Sequence, residues 1–391
     1  MKRVAVIFES SPFDRKGLFN AVHNRVKGLL DSGECWVDAY CIHARDTAFT
    51  RAVRHTAYAP DVDSVEIDGI TYRLLWYEFS ILDHITLEKF GIRPFMFRKF
   101  IDHYVPFLQG YDVVIAHSFT GALFAYQGYK RYGTPYFANW HGSDVHTHPW
   151  RRSVILKDTR KVMEAARCNF FVSNALMKAS DKITVNARKE VLYNGVSEEF
   201  VRLDEPAVER FGLSADEKVV AFAGNLSAVK NVLVLPSVFK AVTDRYTGPL
   251  HFVIAGDGKL RGSLESEFAA LREQVKVSFL GNVAAEDMPA LMNCIDVLVL
   301  PSLNEGLPLV CAEALRCGAN VVGSDVGGIA EVIGHENVVP LGDGFEKNMA
   351  EKIVRMLLDK PSQPLPSYIS WEKTSEIELS HLQSAELLGK S

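Results

Sequence analysis

Two glutamates stand out by their spacing and surroundings. Glu305 and Glu313, with seven residues between them, sit in the segment Val297-Leu-Val-Leu-Pro-Ser-Leu-Asn-Glu305-Gly306-Leu-Pro308-Leu309-Val310-Cys-Ala-Glu313-Ala-Leu-Arg-Cys-Gly318. The run Val297–Leu300 reads as a short buried strand. A helix is expected from about Pro308, because proline suits the first helical position. That helix points its free N–H groups back toward the strand's carboxyl end, where α/β sheets bind ligands and where helix starts hold phosphate. Glu305 falls on the loop, and Glu313 falls on the helix past its first turn. A glutamate set among Leu, Val, Cys and Ala is not an ordinary solvated charge.

Other segments repeat the strand–turn–helix pattern with different chemistry. Val219-Val-Ala-Phe-Ala-Gly224-Asn225 runs into Leu-Ser-Ala-Val-Lys230. A glycine there lets the backbone approach a diphosphate, and a lysine neutralises it as a point charge. Asn225 can donate hydrogen bonds but brings no charge. In Phe252-Val-Ile-Ala-Gly256-Asp257-Gly258 the dinucleotide fingerprint is nearly met, but the third glycine, Gly262, comes one residue late. Trp140-His141-Gly142-Ser143-Asp144 places a histidine at the end of the expected strand Tyr136–Trp140, and Gly17 follows the first strand.

Short apolar runs alternate with amphipathic stretches along the chain. Strands are expected at Arg3–Phe8, Trp36–Ile42, Thr71–Trp76, Val113–His117, Tyr136–Trp140 and Asn169–Val172. In the second half they are expected at Val219–Ala223, His251–Ala255, Val277–Leu280, Val297–Leu300 and Asn320–Gly323. Most are continuously apolar, the mark of parallel strands covered on both faces. The alternation with Ala21–Leu30, Val232–Arg245 and Met288–Asn293 argues a doubly wound α/β fold. The 391 residues suit two domains. Residues 1–192 read as the first domain, 193–206 as a linker around the turn Asn194-Gly195, and 207–365 as the second. Residues 366–391 read as a C-terminal helix.

Bulk composition excludes several classes. With 48% hydrophobic and 23% charged residues, the chain is neither disordered nor a disulfide scaffold. Its six cysteines form no metal or redox motif and read as small buried hydrophobes of a reducing compartment. No apolar stretch reaches the roughly 18 residues of a membrane span. The expected location is therefore cytoplasmic, with peripheral contact at the inner membrane face as an option. Residues 1–192 hold 26 Lys and Arg against 20 Asp and Glu, net +6, whereas 193–391 hold 17 against 28, net −11. A basic half suits membrane headgroups or a phosphorylated acceptor. The run Phe90–Phe100 mixes aromatics with cations, which suits either a lipid-linked acceptor or a buried aromatic cluster with snorkelling cations. The only Asp-x-Asp, Asp61-Val62-Asp63, follows no strong strand, so no metal site is expected.

The glutamate segment resembles the E-x7-E motif of family-4 glycosyltransferases (glycosyltransferase group 1) of the GT-B fold. Its Gly306-Leu-Pro is shared too. The Gly224…Lys230, Gly256-Asp257-Gly258, Val277–Val283, Val321–Ile333 and His141-Gly-Ser-Asp segments resemble the same family. Residues 110–335 match it well, and 40–105 match little. The resemblance implies two Rossmann-like domains facing an interdomain cleft, with the last helix crossing back to the first domain. It implies that Glu305 faces the donor sugar and Glu313 the ribose hydroxyls, while the N–H groups of Leu309 and Val310 cup the distal phosphate. Gly224, Asn225 and Lys230 would hold the diphosphate. The family's usual arginine after the glycine is Asn225 here. Asn282 and Val283 would contact the base, His141 the transferring sugar, and Gly17 phosphate or acceptor. The activity implied is retaining, metal-independent transfer of a hexose-type sugar from a nucleotide-diphosphate sugar. UDP is favoured over GDP, the acceptor is a carbohydrate or lipid-linked hydroxyl, and no cofactor or nucleic acid is expected. Surface polysaccharide or glycolipid synthesis is the setting. The alternatives are a non-catalytic nucleotide-sugar-binding partner subunit and a sugar-nucleotide epimerase. A dehydrogenase is disfavoured by the broken glycine fingerprint.

Overall fold

The computed structural model describes residues 1–13, 17–54, 62–86 and 95–384 of the chain. It divides into two compact units, Met1–Asn194 with Trp371–Ser391, and Gly195–Ser370.

The first unit is built on eight strands: β1 (Lys2–Glu9), β2 (Cys35–Asp46), β3 (Ser64–Ile67), β4 (Ile70–Phe79), β5 (Val113–His117), β6 (Tyr136–Trp140), β7 (Cys168–Phe171) and β8 (Lys189–Val191). Their order is β3-β4-β2-β1-β5-β6-β7-β8. All pair in parallel except the β3–β4 hairpin, whose turn Asp68-Gly69 has positive φ at both residues. Val4 to Phe8 of β1 are all essentially inaccessible, as a central strand with helices on both faces requires. The Gly17–Asp31 helix packs Phe19, Val22, Val26 and Leu29 into that core, and Leu382 of the Trp371–Ser384 helix joins them.

The second unit carries β9 (Lys218–Ala223), β10 (Leu250–Ala255), β11 (Val277–Gly281), β12 (Val297–Leu300), β13 (Asn320–Ser324) and β14 (Val338–Val339), in the order β11-β10-β9-β12-β13-β14. Every pair is parallel. The order reverses between β9 and β12, so the carboxyl ends of these two strands flank a switch point, the usual ligand crevice of such a sheet. The expected α/β fold of two Rossmann-like domains is what is found.

The eleven expected strands are all present, with ends shifted by at most four residues. The three unforeseen strands, β3, β8 and β14, are short and two to four residues long. Each lies at a sheet edge. Helix starts differ from expectation at Gly17 rather than Ala21, at Leu235 rather than Val232, and after Pro308. Pro308 has ψ 96 and caps the helix, which begins at Leu309. All six cysteines are free and buried. Of the aromatic–cationic run, Phe90–Pro94 lie outside the described residues. Phe97 and Phe100 pack on Tyr77, while Phe95 is exposed under Lys99.

Candidate functional site

The switch point of the second unit gathers the residues singled out in its half of the sequence. After β12 the chain enters the loop holding Ser302 and Glu305, and after β9 it turns at Gly224 toward Lys230. The Lys230 ammonium donates to Glu305 Oε1 at 2.6 Å, and Ser302 Oγ donates to the same oxygen at 2.7 Å. Both charged side chains are mostly shielded, with exposures of 22% and 12%. A charge pair shielded in this way is held more firmly than one in open water. The loop is fixed from below. Ser302 is fully buried and its carbonyl accepts from Ser324 Oγ, while Leu303 N donates to Val229 O at 2.8 Å. Gly327 closes over the Glu305 backbone. It adopts φ +53, and a Cβ there would lie 1.9 Å from Glu305 O.

Glycine turns crowd the neighbouring strand ends. Gly224 has φ +151, and a Cβ on Gly256 would meet Gly224 O at 2.0 Å. Gly256 N in turn donates to Gly281 O at 2.7 Å. The turns after β9, β10 and β11 thus touch backbone to backbone, which only glycine permits. The Asn225 side chain is exposed and lies against Gly258. Asn282 is exposed and Val283 half-buried just past Gly281. The Arg261 guanidinium, tied to Asp257 and Glu265, reaches within 3.4 Å of the Cβ position of Gly281.

Gly306 is buried, and Leu309 and Val310 open the eight-residue helix Leu309–Arg316 with their N–H groups unclaimed by the helix itself. Glu313 lies one turn on and is half-buried. Burial alone pushes its carboxyl up to about 7, and no cation offsets that. A carboxylate so placed gains by accepting hydrogen bonds from a ligand.

His141 lies in the first unit. Asp144, itself buried, accepts from the backbone N–H groups of His141 and Gly142 at 3.1 and 2.8 Å, fixing the turn after β6. The ring stacks on that of His117, with His117 Nδ1 3.1 Å from His141 Nε2. Burial pushes His141 down to about 3, and His117 well below its usual range, so both rings are neutral at pH 7. His117 is inaccessible and its Nε2 has no partner. A buried bare N–H is the rarer and costlier orphan, which places the proton of His117 on Nδ1. It therefore donates to His141 Nε2. His141 then carries its own proton on Nδ1 as a hydrogen-bond donor. Gly17 opens its helix, with nothing among the described residues within 4 Å of where its Cβ would lie. Its neighbours 14–16 lie outside the described residues, as does Asp61 of Asp-x-Asp.

Ser302, Arg261 and His117 were missed in the sequence. Ser302 could have been found, three residues before Glu305 in a loop. His117 could not, because nothing in Ile-Ala-His-Ser announces a ring stacked on another strand's end.

Comparison with known proteins gives the family. Residues 205–370 match the family "Glycosyl transferases group 1", and residues 48–200 match "Glycosyltransferase Family 4". Together they cover most of both units. The chain belongs to this glycosyltransferase family. The second match begins at residue 48, so the resemblance extends into the stretch 40–105 where sequence motifs show little. The chain is 35% identical over 159 residues to an uncharacterized glycosyltransferase of Methanocaldococcus jannaschii, covering 39% of this chain and 40% of that one. It is 24% identical to a second uncharacterized glycosyltransferase of that organism, covering 79% and 91%. The chain spans about half the length, or less, of several curated relatives that it matches. Among solved structures, Anabaena HepE in complex with UDP and glucose superposes with a TM-score of 0.69 at 17% identity, over 99% of this glycosyltransferase and 100% of that chain. That likeness shows the shared GT-B fold.

Proposed function

We propose that this glycosyltransferase moves a hexose-type sugar from a nucleotide-diphosphate sugar to a hydroxyl acceptor, with retention of anomeric configuration and without a metal. The observation that carries the reading is the Lys230–Glu305 pair at the switch point. It sets a phosphate-seeking cation 2.6 Å from a hydroxyl-seeking carboxylate, the two chemistries that meet at a glycosyl phosphate. Glu305 Oε1 is saturated by Lys230 and Ser302, which leaves Oε2 for a sugar hydroxyl. Bound diphosphate draws the ammonium toward itself.

As the glycosyl–oxygen bond breaks, charge grows on the departing diphosphate. Lys230 and the N–H groups of Leu309 and Val310 oppose that charge with dipoles already in place. Gly224 gives the phosphates backbone access, Asn225 adds uncharged donors, and Glu313 takes the ribose hydroxyls. Asn282 and Val283 border the base. The Nδ1–H of His141 serves the transferring sugar as a neutral donor, and no enzyme nucleophile is named. UDP is the favoured nucleotide, in keeping with the UDP bound by the structurally similar HepE. The acceptor class is a carbohydrate or lipid-linked hydroxyl, in surface polysaccharide or glycolipid synthesis at the cytoplasmic side. Among the described residues no helix is long and apolar enough to cross a membrane.

The test is a panel of UDP- and GDP-sugars, followed by nucleotide release and by the anomeric configuration of the product. Release from one donor, lost in Glu305→Gln while nucleotide still binds, supports the reading. Tight nucleotide binding with no turnover toward any donor or acceptor overturns it in favour of a non-catalytic partner subunit. Epimerised donor without transfer overturns it in favour of an epimerase.

A further inference from the structure

The second unit has a groove of about 630 Å³ at the amino end of its sheet, the end opposite Glu305. It is walled by the residues that lead into β12 and β13 and by the chain following the Phe345–Asp359 helix. Arg202, Arg316 and Lys360 line it. None of the three has a carboxylate partner among the described residues; Arg316 makes a single long contact, to Val196 O at 3.4 Å. Two carboxylates also line the groove. Asp296 is already taken by Lys218 at 2.5 Å, and Asp204 is exposed. The groove is therefore cationic on balance, in a half of the chain whose net charge is −11.

The fold keeps these cations in place at some expense. Lys360 is the left-handed residue, φ +43, that ends the Phe345–Asp359 helix, so its position at the groove is fixed by that turn. Its ammonium sits beside that of Lys218, which lowers the Lys360 pKa, and the charge of Asp296 opposes this only in part. The stem of Arg202 lies across Gly318, which has φ +92, and a Cβ there would come 3.1 Å from Arg202 Cδ. Cations gathered along one groove attract an anion. Beside them lie the half-buried Asn320 amide and the exposed Ser362 hydroxyl, neither with a side-chain hydrogen bond among the described residues. The volume exceeds that of a bare phosphate ion.

We infer that this groove is a second ligand site, which binds a phosphate monoester on a hydroxylated body. Arg202, Arg316 and Lys360 hold the phosphate, and Asn320 and Ser362 read the hydroxyls. The site stands apart from the donor crevice and does not depend on the donor or acceptor assigned above. A free sugar phosphate and the headgroup of a phosphorylated inositol lipid share this chemistry.

The experiment uses the full chain and two arms. One titrates glycerol 3-phosphate and a hexose 6-phosphate by calorimetry at low salt. The other measures co-sedimentation with phosphatidylcholine vesicles with and without phosphatidylinositol 4-phosphate. The comparison protein is the double variant Arg202→Gln/Lys360→Gln, both positions being exposed. Expected is saturable binding below about 1 mM in one arm, weakened at least tenfold by the variant, with UDP affinity unchanged. The arm that responds names the source. UDP affinity also reports that the variant is folded, and Arg316→Gln supplies an independent second test. The inference is overturned by no saturable binding in either arm, by binding that survives the variants, or by binding that UDP displaces.

Discussion

Lys230 and Glu313 show how the same physical rule gives opposite demands on two side chains of one crevice. Lys230 is neutralised by Glu305 in the free protein and must face a diphosphate when donor arrives. Replacing Lys230 with Met removes the side-chain cation that, among the described residues, touches Glu305. Turnover is expected to fall by roughly 10²–10³-fold, with KM for the donor also rising; a variant within threefold of wild type in kcat/KM would refute the assignment. Glu313 has no such partner, and its folded pKa of about 7 stands above its usual 4.5. Between those values the folded chain holds a proton that the unfolded chain has released. Its contribution is therefore intact below pH 4.5 and is lost as pH rises through 7. Glu313→Gln should stabilise the protein at pH 8 by about 2 kcal/mol and change little at pH 4.5. Urea unfolding at the two pH values measures this, and an equal shift at both would contradict it. His141 and His117 work in the other direction. Their depressed values cost stability as pH falls below 6.5, where the unfolded rings take protons first. These carboxylates and cations were legible in sequence through spacing, but their mutual hydrogen bonds were not, since Lys230 and Glu305 are 75 residues apart.

Strands and turns were legible where burial is uniform. The central strands β1, β5, β6, β9, β10 and β12 are all apolar runs, and their sequence announces them. Edge strands are half-solvated, so Ser64-Val-Glu-Ile and Lys189-Glu-Val carry no such run and escape notice. Glycines are the converse case, because the sequence marks turns but not what presses on them. Gly327 is the sharpest example, since its backbone lies where a side chain would enter the Glu305 carbonyl. Gly327→Ala must either push the Glu305 loop aside or unfold the turn. It is expected to cost about 3 kcal/mol or more in stability, or to abolish donor binding while the chain stays folded. Thermal melting together with UDP titration separates these outcomes, and a variant normal in both would show that the loop gives way freely.

The two units differ in how the chain completes them. Gly195–Ser370 is one continuous stretch, whereas the first unit needs Trp371–Ser384 added to Met1–Asn194. What the last helix supplies is unusually polar for a buried face. Arg25, 1% exposed, donates to Glu378 Oε1 at 3.2 Å, to Asn139 Oδ1 at 2.5 Å and to Asn194 Oδ1 at 2.9 Å. Thr374 Oγ1 donates to Tyr193 O at 2.6 Å, and Ser375 fills the space over Gly28. One guanidinium therefore joins the first helix, the end of β6, the chain leaving the first unit and the returning helix. Ending the chain at Ser370 would leave that guanidinium buried or half-buried without its counter-charge, and would uncover Leu29, Val26 and the Leu382 seat. Loss of one partner from a buried ion pair costs about 3–5 kcal/mol, and the lost apolar contacts add to it. The truncated chain is thus expected to unfold in two separated steps, the first unit at markedly lower denaturant and the second at its original midpoint. Glu378→Leu in the full chain should reproduce much of that loss, and Arg25→Met/Glu378→Leu should recover part of it, because the pair is then replaced by packed hydrocarbon rather than broken. Hydrogen exchange resolved by segment reports each unit separately. Equal destabilisation of both units by the truncation would mean that the tail serves the whole chain, and not the first sheet alone.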